Sequence, residues 1–292
     1  MIRIPVVLLL FGLTLVPGPE PMTTRLVLLG TGTPVVDPDR SGPAVAVVVN
    51  EEAYLFDAGP GIVRRAAAAF AKGIPALDAV NLKRVFFTHL HSDHTAGYPD
   101  LILTPWVVGR RTPLEAYGPA GLKSMTHHIL LAYQQDYDIR VHGLEKLDPT
   151  GRTVNVHEIE PGVIYKDSAV TIEAFAVKHG SWPQAFGYRV RGRDRTIVIS
   201  GDTVPTQSVI DACDGCDILL HEVYINSRSS RYMQAFHTSA DELAKIANAA
   251  KPKLLVLYHQ LYLGGMTDED LLSEIRKSYK GAVASGRDLD VY

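Results

Sequence analysis

Short apolar runs that end in turn residues recur along the chain and predict a series of buried β-strands. The first run, residues 25–29, leads into the glycine-containing turn Gly30–Pro34. Two more runs, at residues 44–49 and 53–56, indicate neighbouring strands, and the second of them ends at Asp57. Apolar runs of about four to eight residues between turn signals are typical of strands. Further strands are predicted at residues 84–87, 114–117, 169–177, 186–190, 196–200, 218–221 and 253–258.

Helical periodicity occurs between these strands. Apolar side chains recur every three or four positions over residues 61–72, and Gly118 opens a second predicted helix that runs to about residue 135. Ser239 and Thr267 each precede an acidic residue by three positions, which is the pattern of a capped helix start. Strands that alternate with helices indicate the α/β class.

The composition is that of a folded globular enzyme. The chain has 292 residues, 46% hydrophobic and 21% charged, enough for one large domain or two fused halves. A formal net charge of −3 gives no broad basic field, which argues against strong, sequence-independent attraction to nucleic acid. Cys213 and Cys216 fit a redox pair, half of a zinc site or a structural role. We favour the structural role, because the sequence has no second pair.

The first 21 residues differ from the rest. Residues 4–16 form a nearly unbroken apolar run behind Arg3, with the length of a signal-peptide core and not of a membrane span. The segment that follows lacks a small-residue cleavage site, and Met22 directly precedes the first strand. Residues 1–21 are therefore either a signal peptide, which predicts a periplasmic or secreted protein, or a mis-assigned start, which predicts a cytoplasmic one. Residues 22–292 are predicted to form the folded domain.

The segment after the strand at residues 84–87 has the composition of a metal site. His89, His91, Asp93 and His94 put three imidazoles and one carboxylate within six positions. Imidazole nitrogen and carboxylate oxygen are ligands that Zn²⁺ prefers. A polar loop with incidental histidines is the alternative, but a chance H-x-H-x-D-H string is rare.

Three further candidate ligands follow other predicted strands. His179, Asp202 and His259 each lie where an apolar run ends. A single histidine at such a position is more often a buried structural group than a ligand. Four residues in one loop cannot complete two coordination shells, however, and strand ends meet at one edge of an α/β sheet. We therefore predict that these three residues join the cluster.

Together these residues resemble the metallo-β-lactamase superfamily. The resemblance spans about residues 24–260 and rests on the segment Thr88–His94, on His179, on Ser200–Thr203 and on His259. Within the superfamily the chain is most similar to the ribonuclease Z-like branch. The segments that match that branch are Gly30–Pro34, Leu55–Gly59, Leu220–Val223 and Phe236–Ala240.

The resemblance implies a four-layer αββα sandwich over residues 22–292, with two Zn²⁺ ions at one edge of the paired sheets. The implied ligands are His89, His91 and His179 for one ion, Asp93, His94 and His259 for the other, and Asp202 as the bridge. Two such ions lower the pKa of a shared water to about 7. The resulting hydroxide is a nucleophile that needs no serine or cysteine.

The leaving group also needs a proton. The ribonuclease Z-like branch pairs a glutamate with a histidine, and this resemblance implies His237 as the acid, oriented by Glu222, with Asp93 completing the predicted catalytic set. Asp57 is predicted either to orient a ligating imidazole or to cap the helix that follows it. His221 is either a neighbour of the site or a buried strand residue.

Two departures from ribonuclease Z guide the substrate prediction. Residues 35–41 lack the basic P-x-K-x-R-N loop typical of that family, and the 23 positions from His179 to Asp202 leave no room for a long arm that grips tRNA. We therefore expect a binuclear zinc hydrolase of a small ester, which is a phosphodiester, an aryl sulfate or a lactone. We expect no nucleic-acid partner, and a homodimer is left open.

Other functions remain as alternatives. They are a tRNA 3′-processing endoribonuclease of the ribonuclease Z type, an iron-dependent oxidoreductase with the same ligands, and a metal-binding module without catalysis. Arg110 and Arg111 either meet an anionic group or form a solvated turn. Aromatic residues are expected either to wall a pocket beside the metals or to belong to the core. They are Trp106, Tyr117, Tyr133, Tyr137, Trp182 and Phe186.

Overall fold

Two β-sheets packed face to face form the centre of the structure. The computed structural model describes residues 23–224, 231–262 and 266–292. The predicted leader, residues 1–21, and the alternative start at Met22 lie outside the described residues. Among the helices within those ranges, none combines the length and the apolar composition needed to cross a lipid bilayer.

The first sheet has six strands in chain order. Strands β1 to β3 are antiparallel to one another, and β3 to β6 run parallel. The strands are β1 Thr24–Gly30, β2 Ala44–Val49, β3 Glu52–Phe56, β4 Arg84–Phe86, β5 Leu114–Gly118 and β6 Val154–Glu158.

The second sheet has seven strands in the reverse spatial order, β13 to β7. Strands β7 to β10 are antiparallel, and β10 to β13 run parallel. The strands are β7 Gly162–Lys166, β8 Thr171–Ala176, β9 Phe186–Arg191, β10 Thr196–Ile199, β11 Ile218–Glu222, β12 Leu254–Tyr258 and β13 Val283–Ser285.

Helices cover the outer face of each sheet and complete the predicted four-layer αββα sandwich, which is confirmed. The helices are α1 Ile62–Ala71, α2 Ser92–Thr95, α3 Tyr98–Val108, α4 Leu122–Ala132, α5 Gln134–His142, α6 Gln207–Cys213, α7 Arg231–Gln234, α8 Ala240–Ala250 and α9 Asp268–Arg276. Residues of α1, α3 and α4 pack on the first sheet, and residues of α6, α8 and α9 pack on the second.

The unbroken apolar runs follow from burial on both faces of each sheet. In β1, Leu26 and Leu28 face the second sheet, whereas Val27 and Leu29 face the helices. Successive side chains of a strand point to opposite faces, so a strand buried on both faces needs apolar residues at every position. The strands predicted from such runs are confirmed, with ends that differ by at most two residues.

The capped helix starts are also confirmed. Thr267 precedes α9, and its hydroxyl accepts a hydrogen bond from the Asp270 N–H while the Asp270 carboxylate accepts one from the Thr267 N–H. The Ser239 N–H donates in the same way to Glu242 at the start of α8. Such reciprocal bonds satisfy N–H groups that have no partner inside the helix.

The helix predicted from Gly118 to about residue 135 is wrong in its bounds, and α3 was not predicted. Pro105 lies inside α3 and has no N–H to donate to the Leu101 carbonyl. The buried guanidinium of Arg110 replaces this donor, since it donates to the carbonyl oxygens of Leu101 at 3.1 Å and Ile102 at 2.8 Å. Arg110 therefore stabilises a proline-containing helix. Both predicted roles for Arg110, anion contact and solvated turn, are wrong.

The two cysteines are joined to each other. Cys213 and Cys216 form a disulfide at the end of α6, and both side chains are buried. Their sulfurs are therefore bonded to each other and bind no zinc ion.

A glycine contact ties the end of β3 to the segment that carries the histidine cluster. A Cβ atom at Gly59 would lie 2.3 Å from the carbonyl carbon of Gly42 and 2.7 Å from the carbonyl oxygen of Asp93. The Ala58 N–H donates to the His94 carbonyl oxygen at 2.8 Å. The backbone of Asp93 and His94 is therefore positioned by direct contact with a residue that must lack a side chain.

We predict that Gly59→Ala lowers the free energy of unfolding by about 1–3 kcal/mol and weakens metal binding, because the new methyl group displaces Asp93 and His94. Gly73→Ala is the matched control. At Gly73 a side chain is strained because φ is +92°, but no atom lies within 4 Å of the Cβ position. We expect Gly73→Ala to affect stability only. Zinc titration of both variants is the measurement, and wild-type affinity in Gly59→Ala would contradict the prediction.

Candidate metal centre and acid pair

The predicted ligands meet at one edge of the two sheets. The first sheet supplies the four residues of the segment after β4, within and just before α2. The second sheet supplies His179 after β8, Asp202 after β10 and His259 after β12. The structure thus brings all seven predicted ligands together.

Three imidazoles form the first group. The Nδ1 atom of His91 lies 3.0 Å from Nε2 of His89 and 3.1 Å from Nε2 of His179. All three ligand atoms lie within 4.8 Å of one another, close enough to hold one metal ion. His89 and His179 are buried, and His91 is partly exposed.

A second group lies beside the first. The Oδ2 atom of Asp93 is 3.5 Å from Nε2 of His94 and 3.7 Å from Nε2 of His259. These three residues also satisfy the spacing of a metal site.

Asp202 lies between the two groups. Its Oδ1 atom is 3.4 Å from Nε2 of His94, and its Oδ2 atom is 3.1 Å from Nε2 of His259 and 3.9 Å from Nε2 of His179. The carboxylate therefore faces histidines of both groups, as a bridging ligand would.

Hydrogen bonds on the far side of four rings set their orientation. Nδ1 of His94 faces the Asp57 carboxylate at 2.8 Å, and Nδ1 of His179 faces the Phe236 carbonyl oxygen at 2.8 Å. A ring that donates from Nδ1 keeps its lone pair on Nε2. Nδ1 of His259 faces the Gly32 carbonyl oxygen at 2.7 Å, and Nδ1 of His89 faces Oγ1 of Thr88 at 3.0 Å. These two contacts leave Nε2 of each ring directed toward the cluster.

Asp57 holds the His94 ring and the backbone at Thr88, and it does not cap α1. Its carboxylate also accepts hydrogen bonds from the Thr88 backbone N–H at 2.8 Å and from the Thr88 hydroxyl. The residue that precedes α1 is Gly61. Of the two roles predicted for Asp57, the geometry therefore matches the orientation of an imidazole.

The electrostatics of the cluster favour a bound cation. Burial lowers the pKa of His89, His91 and His179, so these rings are neutral and their lone pairs are free at neutral pH. Burial also disfavours protonated His94, but the carboxylates of Asp202 and Asp57 together outweigh burial and raise the pKa of His94 well above its usual range. Burial likewise opposes the charge on Asp202, yet the neighbouring His259 and His94 hold its pKa well below the usual range.

Two unpaired atoms fit a metal ion. Within the described part of the chain, Nε2 of His94 and Oδ1 of Asp202 are buried and have no hydrogen-bond partner. A buried polar atom without a partner destabilises a fold by about 1–3 kcal/mol unless something else pairs with it. Five imidazoles and two carboxylates are a donor set suited to a borderline divalent ion such as Zn²⁺. The residues present therefore fit two metal ions.

His237 and Glu222 form a pair beside the cluster. Nδ1 of His237 lies 3.1 Å from Oε1 of Glu222 and 4.0 Å from Oδ2 of Asp202. Glu222 is fully buried, and its carboxylate also accepts hydrogen bonds from the backbone N–H groups of Thr203 and Thr238. Burial lowers the pKa of His237, but Glu222 outweighs this effect and raises it above its usual value. His237 can therefore carry a proton near neutral pH.

His221 is a buried strand residue, one of its two predicted roles. It lies in β11, and its Nδ1 faces the Glu222 carbonyl oxygen at 2.7 Å.

Of the two roles predicted for the six aromatic residues, a place in the core fits three and a place beside the metals fits one. Trp106 is fully buried in α3 and donates to the Asp148 carbonyl oxygen, and Tyr117 and Phe186 pack between the sheets. Tyr133 and Tyr137 belong to the α4–α5 region. Trp106, Tyr117 and Phe186 thus belong to the core, whereas Tyr133 is 42% exposed and does not. Of the six aromatics, Trp182 lies beside the metal centre, with its ring centre 5.0 Å from that of His91.

Another aromatic residue at the site has no signal in the sequence. Tyr224 stacks on His237 with 3.8 Å between ring centres. A tyrosine two positions after a strand glutamate has no recognisable pattern, so only the folded structure reveals its position.

A cleft of about 410 Å³ opens beside Asp93. Its lining includes Thr33, Ser41 and Ser92, and Val36 lies at its rim with 94% of its surface exposed. This volume is in the range of small-ligand sites. Part of a larger substrate can therefore enter next to the ligand cluster.

Known proteins resemble this chain in sequence and in fold. The model of the family described as "Beta-lactamase superfamily domain" matches residues 52–260. Ribonuclease Z of Mycobacterium bovis is 32% identical over 277 residues, covering 91% of this chain and 96% of the relative. Among solved structures, a metallo-β-lactamase fold protein of Bacillus subtilis has a TM-score of 0.73 at 19% identity and covers 94% of this chain and 100% of that one. The short form of human tRNase Z has a TM-score of 0.68 at 24% identity, covering 92% and 98%.

These findings overturn the substrate prediction. Relatives that are 31–32% identical to this chain are named ribonuclease Z, so the expected small ester substrate and the expected lack of a nucleic-acid partner are wrong. The absence of a long arm misled the prediction. The alignment with the Mycobacterium relative is 277 residues long and covers 91% of this chain. It is only slightly longer than the part of this chain that it covers, so the aligned part of the relative has only short insertions.

Trp182 offers a direct test of metal binding. Its indole N–H donates to Nε2 of His91 at 2.7 Å. A neutral His91 that binds a metal through Nδ1 carries its proton on Nε2 and cannot accept this bond. We therefore predict that zinc changes the fluorescence of Trp182 when it is added to metal-free protein.

The second tryptophan is the control. Trp106 is buried away from the cluster, so Trp106→Phe should keep the zinc-dependent change and Trp182→Phe should lose it. A change that persists in Trp182→Phe would show that metal binding does not act on the His91 contact.

Proposed function

We propose that this chain, which belongs to the β-lactamase superfamily and within it to the ribonuclease Z group, is an endoribonuclease that removes 3′ trailers from precursor tRNA. The chain is a metal-dependent hydrolase. The geometry that carries the proposal is an acid pair, Glu222 and His237, directly beside a cluster of seven metal-binding side chains. We place the activity in the cytoplasm, where precursor tRNA is processed.

Two zinc ions are proposed as the resident metals. His89, His91 and His179 would hold one ion, Asp93, His94 and His259 the other, and Asp202 would contact both. When bound, two such ions supply a hydroxide nucleophile and withdraw charge from the phosphate.

The protein side chains orient these groups. Asp57 accepts from His94 and from Thr88, which connects the second ligand group to the loop that carries the first. Backbone carbonyl groups hold His179 and His259 through Nδ1. Ring orientations that are set before the substrate arrives reduce the reorganisation that the reaction requires.

His237 is proposed to protonate the leaving oxygen. Water adds to phosphorus as the bond from phosphorus to the leaving sugar oxygen breaks, and that oxygen takes a proton from Nε2 of His237. Glu222 holds Nδ1 of the same ring and stabilises its protonated form. The attacking water loses one proton to solvent, and a proton from solvent restores His237, so that the net reaction consumes one water.

The cleft beside Asp93 is proposed to receive RNA next to the scissile phosphate. Hydroxyl groups of Thr33, Ser41 and Ser92 line it, and Val36 offers an apolar contact at the rim. Single-stranded RNA is recognised through exposed bases and local contacts. A net charge of −3 is therefore compatible with local recognition of an RNA end, although it excludes a broad electrostatic footprint.

We predict that the zinc-loaded protein cleaves precursor tRNA at the trailer and that His237→Ala lowers kcat on this substrate by about 10²–10⁴-fold. Hydrolysis of bis(4-nitrophenyl) phosphate should fall far less, because nitrophenolate leaves without a proton. Steady-state kinetics on both substrates provide the measurement.

His157→Ala is the matched control, since His157 is a half-exposed histidine on β6 that pairs with Glu115. It should cleave both substrates like wild type. Equal losses on the two substrates in His237→Ala would exclude His237 as the acid. Failure of the zinc-loaded wild type to cleave precursor tRNA would refute the function.

A further inference from the structure

Tyr224 packs flat against the acid. The rings of Tyr224 and His237 are 11° from parallel, with 3.8 Å between their centres. The ring of Tyr224 also lies near His259, with 5.2 Å between the ring centres. The tyrosine thus contacts both the proposed acid and a proposed metal ligand.

Tyr224 is itself held at two further points. Its backbone N–H donates to Oε2 of Glu222 at 3.0 Å, while Oε1 of the same carboxylate faces His237. Its hydroxyl group interacts with the side chain of Thr33, which lines the cleft beside Asp93. Backbone, ring and hydroxyl therefore fix Tyr224 relative to Glu222, His237 and the cleft.

One hydrogen bond is insufficient to orient the acid. Glu222 anchors Nδ1 of His237, but the ring can still turn about that contact because the terminal torsion of histidine has a broad energy minimum. A flat ring stacked on the imidazole restricts this rotation. Proton transfer needs Nε2 within hydrogen-bond reach of the leaving oxygen, and a displacement of about 1 Å can slow a reaction about 100-fold.

We propose that Tyr224 is a positioning residue whose ring fixes the plane of the His237 imidazole, so that Nε2 points toward the leaving oxygen. The inference rests on the proposed function, because it assumes that His237 is the acid. The hydroxyl group of Tyr224 also contacts Thr33, which lines the cleft proposed to receive RNA. Tyr224 therefore contacts both the acid and the cleft.

The hydroxyl group of Tyr224 does not act as a base. Burial raises the pKa of Tyr224 to about 12, so the hydroxyl group stays protonated at neutral pH. The ring and the hydroxyl group can be separated by substitution. Tyr224→Phe keeps the stacked ring, whereas Tyr224→Leu removes it.

The kinetic test compares these variants as zinc-loaded full-length protein. On precursor tRNA we expect Tyr224→Leu to lower kcat by about 10- to 100-fold with KM changed by less than about threefold, and Tyr224→Phe to retain kcat within about threefold. On bis(4-nitrophenyl) phosphate both variants should stay within about threefold of wild type. Tyr133→Leu, which removes a tyrosine between α4 and α5, is the control for a general loss of an aromatic side chain.

A second readout observes the ring directly. In protein labelled with ¹⁵N-histidine, two-bond ¹H–¹⁵N correlations should show His237 of wild type and Tyr224→Phe as a single form that keeps a proton on Nδ1. Tyr224→Leu should show a mixture of forms. If circular dichroism shows that Tyr224→Leu is unfolded, Tyr224→Met, which also removes the ring, replaces it.

The outcomes separate the two proposals. Equal loss on both substrates with an unchanged His237 spectrum in Tyr224→Leu overturns the positioning role, as does an equal loss in Tyr224→Phe. If wild type fails on precursor tRNA, the proposed function is refuted. The role of Tyr224 is then decided by the His237 spectrum and by a series of aryl methyl phosphodiesters, whose rates should fall more steeply with leaving-group pKa in Tyr224→Leu than in wild type.

Discussion

The carboxylate of Asp202 lies almost fully buried between histidines from both ligand groups, with one oxygen atom 3.4 Å from His94 and the other 3.1 Å from His259. A buried charge without a countercharge is strongly destabilising, and without a metal ion only protonated imidazoles such as that of His94 can balance this carboxylate. Within the described residues, Oδ1 of Asp202 and Nε2 of His94 also have no hydrogen-bond partner. A pair of divalent cations satisfies the carboxylate and the lone pairs together. The arrangement of the other residues at this edge follows from that requirement.

The fold meets this requirement through rigid supports. Each ligand after the histidine segment follows a strand of the second sheet, and hydrogen bonds from Nδ1 of His94, His179 and His259 keep Nε2 directed inward. Contact of Gly59 with the Asp93 backbone adds a steric support from the first sheet. Glu222 and Tyr224 extend the same principle to the acid, because one anchors His237 and the other stacks on it. Ligands on strand ends with buried supports keep their geometry better than ligands on free loops.

The strands and the ligand set could be predicted because both follow from local patterns. Strands buried on both faces read as apolar runs, and the ligands stand where such runs end. The half-exposed strands β6 and β7 lack a run and were missed. Helix α3 was not predicted because Pro105 lies inside it. The residue that replaces the missing proline N–H donor, Arg110, lies after the end of the helix. The stacking of Tyr224 depends on tertiary contacts and has no local signal. The substrate was wrongly predicted because a short segment between two ligands says little about the substrate when a relative named ribonuclease Z aligns over 91% of this chain with room for only short insertions.

Anomalous scattering at the zinc absorption edge from crystals of the zinc-loaded protein tests the central claim most directly. The account predicts two peaks, one among His89, His91 and His179 and one among Asp93, His94 and His259, with Asp202 oxygen atoms about 2.0–2.2 Å from both. The absence of any peak at this edge of the sheets, with the ligand side chains still in place, would contradict it.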